Sequence, residues 1–101
     1  EIAYSSNDDL AQSTAFAVIS PGSTGTGNDE NLGGYLRLFE PSSTTFVKHF
    51  IAWSANTATN DYYSTTFTAG YFNTTSAIDE IQFKMSSGEI QAGTISLYGI
   101  N

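Results

Sequence analysis

The sequence predicts an all-β fold: an antiparallel β-sandwich or jelly-roll-like domain of about six strands. Runs rich in Val, Ile, Thr, Tyr and Phe recur every ~8–15 residues, with Gly, Pro, Asn and Ser between them. No segment keeps the 3.6-residue period of a helix. From Ile78 to Ile100, apolar and polar residues alternate in two runs around a small polar loop. This pattern predicts a closing hairpin with one face on a core and one face in water.

The N-terminal part predicts two strands separated by a long loop. The first strand is predicted from Thr14 to Ser20 and ends at Pro21-Gly22, a strong pair of strand breakers. Residues 21–34 form a Gly-rich loop, and loops of this length in a small domain are usually functional or mobile. The second strand is predicted from Tyr35 to Glu40.

The middle of the chain predicts a central strand. A third strand, Thr45 to Trp53, follows a linker short enough for an antiparallel hairpin. Its second half, from Phe50 onward, is apolar on both faces, so we expect one face on the core and the other against another surface, such as a neighbouring subunit. A fourth strand, Tyr62 to Tyr71, is expected to kink or bulge near Gly70.

The length of the chain limits the number of domains, and its charge limits the kinds of partner it can bind. The 101 residues predict a single domain, 1–101. The net charge is −7, with Arg37, Lys48 and Lys84 as the only basic residues, so the clustered cations of a nucleic-acid-binding protein are missing. The same balance disfavours anionic membranes, and no apolar run approaches the ~20 residues of a membrane span. The absence of cysteine excludes a disulfide scaffold.

Several segments resemble one family. The C-terminal GTISLYGI, following a strand of the type IQFKMSSG, resembles the end of β-sandwich domains in bacteriophage virion proteins. The upstream segments YSSNDDLAQST, GYLRLFEPSSTTFVKHF and AGYFNTTSAI are similar to the same family, so the resemblance covers Tyr4 to Ile100 and is most specific in short-tailed phages of aquatic bacteria. It implies a tail, fibre or head-surface component of an extracellular particle, without catalytic residues. Longer members begin with further strands, which implies that this chain lacks N-terminal strands of the domain.

Candidate catalytic groups are few, and the prediction is that the protein is not an enzyme and uses no cofactor. His49 is the only histidine and lies within a predicted strand, and no GxSxG motif accompanies it. The acidic pairs Asp8-Asp9, Asp29-Glu30 and Asp79-Glu80 would support glycoside hydrolysis only if two carboxylates faced each other across a cleft. A small glycan hydrolase is therefore kept as a third hypothesis.

One loop is a candidate calcium site. Asn28, Asp29, Glu30 and Asn31 are rich in the oxygen ligands that Ca²⁺ prefers. The spacing of an EF-hand is absent, and a solvated loop explains the same residues. One histidine and no cysteine make zinc a poor candidate. The glycosylation sequon at Asn73 is interpreted as a turn.

Aromatic and apolar residues supply the binding candidates. Trp53, Tyr62 and Tyr63 lie at a predicted strand–loop–strand junction and could stack on sugar rings, although packing in the core and at its rim is the simpler explanation. The leading hypothesis is a non-enzymatic phage virion structural domain that forms homo-oligomers, or assembles with other virion proteins, through apolar β faces. The predicted interface residues are Phe50, Ile51 and Trp53. The alternative is a receptor- or carbohydrate-binding module of the lectin-like jelly-roll type.

Overall fold

The computed structural model describes residues 2–100 and contains one open, three-stranded antiparallel sheet. Its strands are β1 (Leu32–Leu38), β2 (Lys48–Thr57) and β3 (Tyr63–Phe72), and their order in the sheet is β1-β2-β3. Within residues 2–100 the only helical element is a 3-10 turn at Ser6–Asp8, so no helix there is long and apolar enough to cross a membrane. An isolated antiparallel bridge joins Thr24 to Ala58.

The predicted sandwich or jelly roll with about six strands is wrong. The described residues form one sheet of three strands, and no second sheet packs on it. The predicted strand at Thr14–Ser20 and the predicted hairpin from Ile78 to Ile100 are irregular chain without strand pairing. Alternation indicates which side chains would share a face, but a strand also needs a hydrogen-bonded neighbour. Neither segment has one within residues 2–100.

The three strands lie where three candidates were predicted, with shifted ends. β1 and β2 form the predicted antiparallel hairpin, and β2 is the central strand, as expected. The predicted bulge near Gly70 is wrong, because the β2–β3 register runs without a slip past the pair Phe50–Gly70. A Cβ at Gly70 would lie 2.9 Å from the ring of Phe50. The glycine therefore makes room for that ring instead of bending the strand.

The two faces of β2 differ in burial. We call the face with the even-numbered residues the covered face and the face with the odd-numbered residues the open face. Every even-numbered residue of β2 is buried, and every odd-numbered one is half-buried or exposed. The buried apolar residues of the described chain are Phe50 and Ala52, so the core is small.

Segments outside the sheet protect the covered face through hydrogen bonds. Ser54 Oγ donates to the main-chain oxygen of Ile19 at 2.8 Å, and Thr24 Oγ1 donates to Asn56 Oδ1 at 2.8 Å. Thr74, which follows β3 in the sequence, also contributes. Its main-chain oxygen accepts a 3.2 Å hydrogen bond from the amino group of buried Lys48. The cover is therefore made of loop rather than of a second sheet.

The chain exposes far more surface than a compact protein of its mass. Its accessible surface is 8552 Å² at 10.8 kDa, whereas a compact monomer of this mass exposes about 5,500 Å². The radius of gyration is 14.8 Å, against about 13 Å for a compact domain of this length. The excess, roughly 3,000 Å², is the structural fact with the strongest bearing on function.

Candidate functional site

An aromatic row crosses the open face. Tyr35 on β1 pairs with Trp53 on β2, and Trp53 pairs with Phe67 on β3. We call these three residues the aromatic row. Residues directly opposite each other in an antiparallel sheet point to the same side, so the three side chains lie side by side on one face. The rings of Tyr35 and Trp53 lie 5.9 Å apart at an interplanar angle of 33°. Tyr35 is 55% exposed and Phe67 is 65% exposed.

A second aromatic contact lies at the other end of the open face. The ring of His49 lies 5.8 Å from that of Tyr71, at an angle of 40°. His49 also borders an open depression of about 750 Å³, whose lining includes Phe39, Glu40 and Phe46. Its imidazole thus continues the aromatic surface. A general base needs a partner group within hydrogen-bond reach, whereas His49 lies beside the Tyr71 ring and the lining of this open depression.

The candidate acidic groups hydrogen-bond within their own segments. Asp8 accepts a hydrogen bond from the Ser5 hydroxyl at 2.7 Å, and Asp9 accepts one from the Tyr4 phenol at 2.5 Å. The bond to Asp9 raises the pKa of the Tyr4 phenol above its ordinary value, because it stabilises the neutral donor. Asp79 and Glu80 are exposed and lie outside any strand.

The calcium candidate loop is held by local hydrogen bonds. Glu30 accepts a hydrogen bond from the main-chain N–H of Gly27 at 2.6 Å, and its own N–H donates to the Gly27 oxygen at 3.0 Å. The oxygen of Asn31 accepts from the N–H of Thr57, which joins the loop to β2. Asn28 and Asp29 are exposed. Across residues 2–100, no three acidic or histidine side chains converge on one point where a metal ion could bind.

The structure does not bring the predicted glycan-binding residues together, and it places the predicted interface residues on two different faces of the sheet. Trp53 and Tyr63 lie on the open face, but Tyr63 is four residues along β3 from the partner of Trp53, a separation of about 13 Å. Tyr62 precedes β3 and is 70% exposed. Of the predicted interface residues, Ile51 and Trp53 share the open face, whereas Phe50 is only 7% exposed and belongs to the covered face.

Sequence reasoning missed the two outer members of the aromatic row. Tyr35 and Phe67 become neighbours of Trp53 only through the register of two hairpins. The loops that set this register span residues 39–47 and 58–62, and loops of such different lengths do not determine a register by themselves. The alternating pattern of β3, with Phe67 and Tyr71 on one side, was the available signal.

The edge of β3 borders a groove. β3 is an outer strand, and within residues 2–100 no further strand pairs with its outward side. A groove of about 510 Å³ follows Thr65–Ala69 and is closed on its far side by the N-terminal segment, including Tyr4, Val18 and Pro21. Five strand residues extend about 17 Å, so the groove has the length of a short peptide strand.

The C-terminal segment, residues 90–100, has no strand pairing and is exposed throughout. Its alternating apolar residues Ile95 and Leu97 are 67% and 92% exposed, and Tyr98 and Ile100 are 81% and 82% exposed. Upstream, the Ile78 N–H donates to the oxygen of Pro41 at 2.8 Å. The chain therefore holds the start of the predicted hairpin region against the β1–β2 loop and leaves its end without packing.

Comparison with known proteins identifies no relative: no family model matches the chain, and no match is found among curated proteins or solved structures. The functional inference therefore rests on the open face, the free edges and the exposed C-terminal segment.

Proposed function

We propose that this chain is a non-enzymatic structural subunit that assembles with further copies or with other virion proteins, as a component of a phage tail, fibre or head surface. The observation that supports assembly most strongly is the roughly 3,000 Å² of surface in excess of a compact monomer. Standard protein–protein interfaces remove about 800 Å² from each partner. The excess is thus large enough for more than one neighbour.

The exposed surface is of the kind that association buries. The aromatic row and the C-terminal segment both present large apolar side chains to solvent. Burial of apolar area contributes about 25 cal/mol per Å² before the costs of association are subtracted. A single-chain core containing Phe50 and Ala52 as its buried apolar residues provides little of this stabilisation. Contacts between subunits would supply what the small core does not.

The virion assignment is supported by the resemblance of Tyr4 to Ile100 to phage virion domains. The scarcity of basic residues agrees with a role that involves no nucleic acid. The absence of cysteine means that stability in an extracellular particle has to come from packing and from partner subunits.

The experiment that tests assembly is the measurement of molar mass in solution. Light scattering after size-exclusion chromatography, together with sedimentation velocity over two decades of concentration, would be run on the purified chain. We expect a discrete oligomer whose population follows mass action, and negative-stain imaging would reveal its symmetry. A monomer throughout the whole concentration range would overturn the proposal.

A carbohydrate-binding role is the second candidate, and the aromatic row is the observation that favours it. Three neighbouring rings on an open sheet form a surface on which sugar rings can stack. Trp53→Ala should then abolish binding on a glycan array, while Phe46→Ala, which removes an exposed ring from a loop, should leave it unchanged. An array without any signal for the unmodified protein would eliminate this candidate.

A further inference from the structure

We propose that residues 94–100 of one copy pair as an added strand with the free edge of β3 in a second copy, a contact that rests on the proposed assembly function and specifies how it is built. The donor is exposed and unpaired, and the acceptor is an unpaired strand edge beside a groove. Addition of an extended segment to a sheet edge is a common mode of protein recognition, in which the main chain supplies the hydrogen bonds.

The donor segment has the composition of a strand that lacks a partner. Ile95 and Leu97 alternate with Thr94 and Ser96, and residues 90–100 contain neither a charged residue nor a proline. While the segment is exposed, water satisfies its main-chain groups, and pairing with a strand edge would replace those bonds with a ladder. In the structure it remains without strand pairing, and Leu97 is 92% exposed.

The acceptor edge lacks the features that usually prevent association. Natural edge strands are kept apart by charges, prolines, bulges or short length. β3 has ten residues in unbroken register, and its sequence YSTTFTAGYF contains no charge and no proline. The groove beside Thr65–Ala69 leaves room along this edge, and Val18 and Pro21 would provide apolar contacts for an entering strand.

Neither β3 nor the donor segment carries a charge within the paired residues. Two copies each carry a net charge of −7, so they repel wherever charged surfaces approach. β1 contains Arg37 and is preceded by Asp29-Glu30 and followed by Glu40. β3 and residues 90–100 are themselves neutral, and the carboxylates nearest to their contact are Asp8 and Asp9 in the groove lining, Asp61 before β3 and Glu89 before the donor.

The side chains of the two strands also match. On β3, Thr66 and Thr68 point to the covered side and Phe67 points to the open side. A pairing that sets Thr94 and Ser96 beside these threonines places Ile95 and Leu97 on the open side. Cross-strand pairs of hydroxyl residues and of aromatic with aliphatic residues both stabilise a sheet. The added strand would then extend the aromatic row with aliphatic side chains.

Disulfide cross-linking between different copies tests this contact. Because the chain has no cysteine, only the introduced cysteines can form a disulfide. One set of copies carries a single donor cysteine, Ile95→Cys, Leu97→Cys or Gly99→Cys, at positions that share the open side with Thr65 in this pairing. A second set carries Thr65→Cys on β3 or, as the matched control, Gly33→Cys on β1. Thr65 and Gly33 both face Ala55 in the sheet, on opposite edges, and both are exposed. Equal amounts of donor and acceptor copies are mixed, oxidised mildly and analysed by mass spectrometry.

We expect one or two donor positions to form a heterodimer with Thr65→Cys at least tenfold faster than with Gly33→Cys. Equal rates with both acceptors, or preference for Gly33→Cys, would overturn the contact. If the unmodified chain is an oligomer by light scattering and no donor cross-links to Thr65→Cys, the contact fails while the assembly function stands. A chain that is monomeric at all concentrations would remove both.

A substitution pair gives an independent measure. Leu97→Asp should raise the concentration needed for half-maximal association at least tenfold, because it places a charge within the pairing strand. Phe46→Asp adds the same charge at another exposed apolar residue, which lies in the β1–β2 loop. It should shift association less than threefold. Equal shifts for the two variants would mean non-specific apolar association and would contradict the proposal.

Discussion

The two faces of β2 share one backbone and differ in nearly everything else. The covered face combines Phe50 and Ala52 with the buried polar residues Lys48, Ser54 and Asn56, and loop segments lie over it. The open face presents the aromatic row, in which Tyr35 and Phe67 are exposed and Trp53 is half-buried. Under the proposed function, the parity of residue number along one strand separates the residues that stabilise the chain from those that would contact a partner. The following predictions test that separation, beginning with the largest expected effect.

Removing the main apolar side chain of the covered face should be the most damaging change. Phe50→Ala should lower the free energy of unfolding by about 3–5 kcal/mol, because it deletes a buried ring and leaves a cavity. Urea denaturation followed by circular dichroism measures the change. Phe46→Ala, which removes a ring that is 72% exposed, is the control and should lie within about 0.5 kcal/mol of the unmodified protein. Similar losses for both variants would contradict the assigned core.

Filling the space under the Phe50 ring should have the next largest effect. Gly70→Ala places a Cβ 2.9 Å from that ring and should lower the free energy of unfolding by about 1–3 kcal/mol through overpacking. Because Phe50→Leu shortens the opposing side chain, Gly70→Ala should be less damaging in that background. A double-mutant cycle measures this coupling. Simple additivity of the two changes would show that they do not touch.

Replacing the buried amino group should stabilise the protein. Lys48 is fully buried, and its ammonium donates to a neutral main-chain oxygen, so its desolvation is incompletely compensated. Lys48→Met is one atom shorter, removes the charge and should raise the free energy of unfolding by about 1 kcal/mol. The matched control is Lys84→Met, on an exposed lysine whose amino group lies 4.1 Å from the ring centroid of Phe16. That variant should be neutral or slightly destabilised, and a loss of stability in Lys48→Met would refute the interpretation.

A substitution on the open face should weaken self-association more than it lowers the free energy of unfolding. Trp53→Ala should lower the free energy of unfolding by about 1 kcal/mol, mainly through its lost contact with Tyr35. It should weaken self-association about tenfold, which corresponds to about 1.4 kcal/mol. Sedimentation velocity and urea denaturation on the same preparation separate the two quantities. If Trp53→Ala lowered the free energy of unfolding by several kcal/mol and left self-association unchanged, Trp53 would belong to the core and not to an interface.

The sequence could predict the central part of this fold because its signals there are local. The run from Lys48 to Trp53 combines β-forming residues with short flanking turns, and antiparallel hairpins follow from such a pattern. The outer regions could not be predicted in the same way. Residues 78–100 have a strand-like alternation, but pairing depends on whether a partner edge lies within reach, which a single sequence does not state. The aromatic row could not be predicted for the same reason. Tyr35 and Phe67 align with Trp53 only through the pairing registers of β1–β2 and β2–β3, and these registers depend on residues far apart in the sequence.

The hydrogen bonds over the covered face also set an order of events in folding. The β1-β2-β3 meander joins neighbouring strands through short loops, so its contacts close early and locally. The bonds of Ser54 to Ile19 and of Thr24 to Asn56 span 35 and 32 residues, and loop closure over such distances comes later. The N-terminal cover is therefore a late-docking layer. In a hydrogen-exchange experiment it would open at lower free energy than the sheet, and each opening would briefly expose the covered face to solvent.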